Sequence, residues 1–138
     1  MRPGSVRRLL RAEVLLLYLL FALDWATSYI GVCVLKSCVI CGPDYCDYVR
    51  IVETRPIASY LLATQPALLL LLYIADATLL TALGVAVLRV ARGRLELAAL
   101  VPPLLGCAIE GYAVANNALV LLSCHCHSFI TPSPPMGL

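Results

Sequence analysis

Residues 14–35 read VLLLYLLFALDWATSYIGVCVL, and the fold class is decided there. As a helix these 22 residues span about 33 Å, enough for a hydrocarbon core of about 30 Å. Their only charge is Asp24, in the middle. A carboxylate at that depth costs from ~3 to more than ~10 kcal/mol, depending on how far water and lipid rearrange around it. Arg2, Arg7, Arg8 and Arg11 precede the run, against Glu13. Arginines before an apolar run can open a secretory leader, but this run is long, holds an acid and continues into Cys33, Leu35 and Lys36. It reads as a retained span. Asp24, Thr27, Ser28 and Gly31 recur at i, i+3, i+4 and i+7, one stripe of small and polar side chains. Such a stripe faces other helices, because small residues allow close approach and hydroxyls bond across the gap.

The rest of the chain agrees with a lipid solvent. Mean hydropathy is +0.92; 62% of residues are hydrophobic and 13% charged, against roughly 25% charged in soluble domains. A net charge of +2 is too small to point to nucleic acid. Residues 57–88 form a second apolar stretch of 32 residues, about 48 Å as one helix and too long for one crossing. Gln65-Pro66 divides it, since proline opens helices and breaks their interiors. A short interfacial or re-entrant helix is expected at 56–64 and a second span at 66–88, with Asp76 near its centre. Arg89, Arg92, Gly93, Arg94 and Glu96 make a short basic turn. A third span follows at 97–122, where Pro102-Pro103 kinks the helix or starts its regular part. Gly106, Cys107, Glu110, Ala113, Val114 and Asn117 share one face of it, with Asn116 next round.

The chain therefore reads as an all-α polytopic membrane protein of three spans. It has a basic cytoplasmic tail at 1–13, one helical domain at 14–122, a cysteine-rich external loop at 36–56 and a proline-rich tail at 123–138. Arginines flank the N-terminus and the 89–96 turn, whereas the 36–56 loop is formally neutral. The positive-inside rule then places the N-terminus inside and the C-terminus outside.

Asp24, Asp76 and Glu110 lie near the midpoints of the three spans and are expected at one depth. With Thr27, Asn116 and Asn117 they form the candidate site. No Lys or Arg lies within a span to neutralise them. Three readings are open: neutral hydrogen-bonding ties between helices, a proton or cation pathway, and pairing with a basic residue on a partner.

The order of Asp24-Trp25-Ala26-Thr27 with Gly31, then Glu53-Thr54-Arg55-Pro56, then Asn116-Asn117 resembles a prokaryotic family of small integral membrane proteins of unknown function. Its pattern is D-x-x-T, then E-x-N-P, then an Asn late in the final span. The likeness covers about residues 14–122 and departs at Arg55, where the pattern has Asn, and in the cysteine-rich loop. It implies an integral membrane protein, lends no activity, and adds Glu53 and Pro56 to the site. Either these are ordinary loop residues before a helix, or the Pro56 turn dips in and brings Glu53 to the Asp24 stripe.

Six of the seven cysteines, Cys33, Cys38, Cys41, Cys46, Cys124 and Cys126, fall at or beyond the outer surface; Cys107 is within the third span. Disulfides stapling the loop to the end of span three are the first expectation. A zinc site from Cys38, Cys41 and the Cys124-His125-Cys126-His127 run is a second. The third is redox chemistry at Cys38-Val39-Ile40-Cys41, which is very like the tetrapeptide of quinone-coupled disulfide-forming membrane proteins.

No phosphate loop, H-E-x-x-H pair or G-x-S-x-G elbow occurs, and His125 and His127 are the only histidines. The function expected first is a non-enzymatic small subunit or scaffold in the cell membrane, as a homo-oligomer or part of a larger complex. The alternatives are a membrane thiol–disulfide oxidoreductase and a proton or cation carrier. No cofactor follows from the residues.

Overall fold

The computed structural model describes residues 3–41, 46–53 and 55–123. Among these the chain is helical apart from one short hairpin. Helix α1 runs Pro3–Tyr29 and continues as a π-helical segment, Ile30–Leu35. The first residues, expected as a tail, are thus helical. Proline suits a first helical turn, and Arg, Leu and Ala are strong helix formers; Val6 and Leu10 in this stretch are buried. Lys36, at φ +58°, ends the helix and bonds its N–H to the Gly31 carbonyl at 2.9 Å.

The described residues of the 36–56 loop include a hairpin that the sequence did not announce. Strands β1 (Ser37–Cys41) and β2 (Cys46–Arg50) pair antiparallel, with Cys38 opposite Val49 and Cys41 opposite Cys46. Val39, Ile40, Tyr48 and Val49 are β-branched or aromatic and suit a pleated ribbon. The Ile51 N–H closes its base on the Lys36 carbonyl at 3.2 Å. The expected Gly42-Pro43-Asp44 turn lies outside the described residues, as does the 124–138 tail.

Helix α2 (Pro56–Thr64) and helix α3 (Pro66–Val90) divide at Gln65, each opened by its proline. Gly93, at φ +62°, turns the chain into a 3-10 segment, Gly93–Leu100, and helix α4 follows at Val101–Ser123. Pro102-Pro103 sits in the first turn of α4, so the pair starts the regular helix rather than kinking it.

Helices α1 and α4 run parallel: Leu17 meets Gly106, and Gly31 meets Leu121. Helix α3 runs the other way, with Phe21 of α1 on Tyr73 and Leu10 on Gly84. A Cβ on Gly106 would lie 2.6 Å from Leu17 Cδ1 and 2.7 Å from Leu80 Cδ1, so a bare Cα is what lets three helices meet there. Leu17, Phe21, Leu62, Leu69, Tyr73 and Ala77 make the core. Outside it, Leu71, Ile74, Leu79, Leu83, Leu104, Ile109 and Leu119 are exposed. Helix α3 and the segment Leu95–Ser123 are each long and apolar enough to cross a membrane.

Candidate functional site

Asp24 is fully buried, and its neighbours come from four parts of the chain. Asn117 on α4 donates its amide to Asp24 Oδ1 at 2.9 Å, and the same nitrogen reaches Thr27 Oγ1 at 3.2 Å and Ser28 Oγ at 3.1 Å. The parallel α1–α4 pair makes this possible, since the stripe on one helix and the Asn on the other stay in register. Arg55, just ahead of α2, donates from Nη2 to Asp24 Oδ2 at 3.0 Å and to the Tyr73 hydroxyl at 2.9 Å. Its guanidinium stands over the Tyr73 ring, 5.6 Å from the centroid.

The donors and acceptors are consistent along the chain of bonds. Ser28 accepts from Asn117 and donates to Glu53 Oε2 at 3.3 Å. Glu53 Oε1 takes the backbone N–H of Arg55 at 3.2 Å and its Nε at 3.4 Å. Thr27 donates back to the Leu23 and Asp24 carbonyls. Pro56 starts α2 directly after Arg55, and the side chains of Glu53 and Arg55 reach Ser28 and Asp24. Of the two readings of Glu53, the geometry is that of the inward one.

Asp24 has a cation all the same. Arg55 lies outside the spans in sequence but folds back onto it. Burial opposes the Arg55 charge; Tyr73, Asp24 and Glu53 favour it more strongly, and its pKa lies above the ordinary arginine value. Arg55 was legible only as a departure from the family pattern. Tyr73, also missed, carried a weak signal: it stands one turn before Asp76.

The three acids do not share one depth. Leu17 is level with Gly106 and Leu20 faces Gly111, so Glu110 is level with residues near 20 on α1. That is about one turn, ~6 Å, below Asp24. Asp76 lies between Tyr73, opposite Phe21, and Thr78, whose hydroxyl is 2.8 Å from that of Tyr18. The site is thus two-tiered. Asp24 sits above with Arg55 and Asn117, and Asp76 and Glu110 sit below on one cleft. Glu110 Oε2 is buried and has no hydrogen-bond partner.

Asn116 is exposed and lines a small cleft with Thr27, Ser28, Gly31 and Glu53; Asn117 is the amide that enters the network. Glu53 also borders a cavity of about 480 Å³ with Lys36 and Arg50.

Cys33 and Cys107 carry free thiols. Cys33 donates to the Leu62 carbonyl at 3.4 Å and Cys107 to the Glu13 carbonyl at 3.6 Å. Cys33 therefore leaves the expected disulfide set. The side chains of Cys38, Cys41 and Cys46, and all of Cys124, His125, Cys126 and His127, lie outside what is described, and with them the zinc and redox readings. Among the described residues no three His, Cys, Asp or Glu side chains converge to hold a metal ion. No family model, curated protein or solved structure matches the chain.

Proposed function

We propose that the chain is a three-span protein of the cell membrane, N-terminus inside, that serves as a non-enzymatic subunit or scaffold. Three features support the spans and their orientation. Helix α1 and its π-helical extension carry the apolar run 14–35 in parallel with α4. Helix α3 returns antiparallel against both. Arg7, Arg8 and Arg11 on α1 share an end of the bundle with Arg89 and Arg92, since Leu10 packs at Gly84 and Gly84 at Ala99.

The observation that carries the function is the commitment of Asp24. Both its oxygens are taken, one by Arg55 and one by Asn117. A carboxylate held this way joins α1, α4 and the segment before α2, and is poorly placed to exchange protons with a substrate. The same convergence of Asp24, Thr27, Glu53 and Asn117 supports kinship with the small membrane-protein family, with Arg55 supplying a charge where that pattern has an amide. Three helices bury little of each other, so a homo-oligomer or a larger complex completes the structure. The test is native mass spectrometry of the protein extracted with its lipid belt. A mass above that of one 14.9 kDa chain is expected; a single chain throughout would overturn the reading.

A further inference from the structure

We propose that the cleft between α3 and α4 binds an aliphatic ammonium group through the carboxyl groups of Asp76 and Glu110. The cleft holds about 230 Å³. Phe21, Leu79, Leu80 and Ile109 supply its apolar walls, and Gly106 lies on its lining.

Two independent observations meet here. The first is charge. Among the described residues Arg55 is the one cation on the cleft, and it is committed to Asp24 and Glu53. Asp76 and Glu110 are left facing the same space without a cation of their own. The second is an unmet acceptor. Glu110 is only 5% exposed, and its Oε2 is buried without a hydrogen-bond partner. A buried acceptor left unpaired is costly, and a charged donor is its strongest remedy.

The chemistry of the cleft selects among cations. Two carboxyl groups fall short of the ligand set of a dedicated metal cage, and no third joins them among the described residues. An ammonium group has three donors and needs only a few acceptors, and an alkyl stem suits the apolar walls. Asp76, Leu79 and Ile109 are exposed on the outer face, so the cleft opens sideways, toward lipid in the proposed topology. The ammonium can come from a membrane-dissolved amine or from a lysine on a neighbouring span. The inference does not need the chain to be a subunit.

The experiment uses the full chain in phosphatidylcholine nanodiscs. One arm titrates dodecylamine, with dodecanol as the uncharged control. The other adds a polyleucine helix with one central lysine, with an all-leucine helix as control. The readouts are the thermal midpoint and protection of Asp76 and Glu110 from dicyclohexylcarbodiimide, mapped by peptide mass. A raised midpoint and lost labelling with a charged probe, and with neither control, are expected. The arm that responds identifies the source. Asp76→Asn and Glu110→Gln should each weaken the effect about tenfold or more, while Glu96→Gln leaves it unchanged. Should either variant fail to fold, protection of the native protein still decides. Equal protection by dodecanol or the all-leucine helix, no response in either arm, or full response in folded Asp76→Asn would overturn the proposal.

Discussion

Arg55 Nη2 stands 3.0 Å from Asp24 Oδ2, with the Asp24 side chain wholly buried and that of Arg55 48% exposed. The pair is asymmetric. Arg55 has a second carboxylate in Glu53 and can turn outward. Asp24 has no other cation within its hydrogen-bond set. Most of the cost of breaking the pair therefore falls on Asp24.

Substitution at the pair should show this asymmetry. Asp24→Asn leaves one uncharged oxygen, which can accept from Asn117 or from Arg55 but not both, and turns an amide nitrogen toward the other donor. A loss of about 1–3 kcal/mol is expected, read as a lower midpoint in thermal unfolding of the protein in detergent or nanodiscs. Adding Arg55→Asn should recover part of it, with a coupling of about 1 kcal/mol or more between the positions. Additive losses would mean that the two side chains act independently.

Asn116 and Asn117 are neighbours with opposite prospects. Asn117→Leu removes a donor shared by Asp24, Thr27 and Ser28 and should cost about 2–3 kcal/mol. Asn116→Leu, on an exposed face, should change stability by no more than about 0.5 kcal/mol. Paired unfolding curves check both, and similar losses would count against the network as described.

Much of the helical frame was legible because its signals are local. Pro56, Pro66 and Gly93 mark their own breaks, and the Asp24–Gly31 stripe names its face by spacing alone. The meeting of Asp24 with Asn117 followed from matching faces on two spans. Arg55 did not follow, because its partner lies 31 residues away and its role depends on how the 36–56 loop folds back. Nor did the two tiers of acids. Span midpoints locate a residue within its own helix, but relative depth comes from inter-helix contacts such as Leu17 on Gly106. The hairpin was missed because a short β-branched and aromatic stretch between cysteines has no clear alternation to announce it.

The glycines offer a test of the helix packing that avoids the charged site. A Cβ on Gly84 would sit 2.7 Å from the Ala99 carbonyl oxygen, a backbone atom that cannot swing aside. Gly84→Ala should force α3 away from the 3-10 segment at a cost of about 1–3 kcal/mol. On Gly111 the nearest atom is Leu20 Cδ1 at 3.9 Å, an ordinary contact. Gly111→Ala should be neutral or stabilising by up to about 1 kcal/mol, since alanine favours the helix. Melting temperatures of the two variants should move in different directions or by clearly different amounts.

Thiol chemistry separates the cysteines. Cys33 and Cys107 are free, so both should take up a maleimide once the protein is denatured without reductant. In the folded state Cys107 should lag, being buried at 8% exposure, while Cys33 is half-buried. The hairpin register sets Cys41 opposite Cys46, so a disulfide formed within the ribbon is expected between those two. Peptide mapping of the native protein reads all three outcomes at once. Finding Cys33 in a disulfide would remove its bond to the Leu62 carbonyl, and with it a link between the end of α1 and α2.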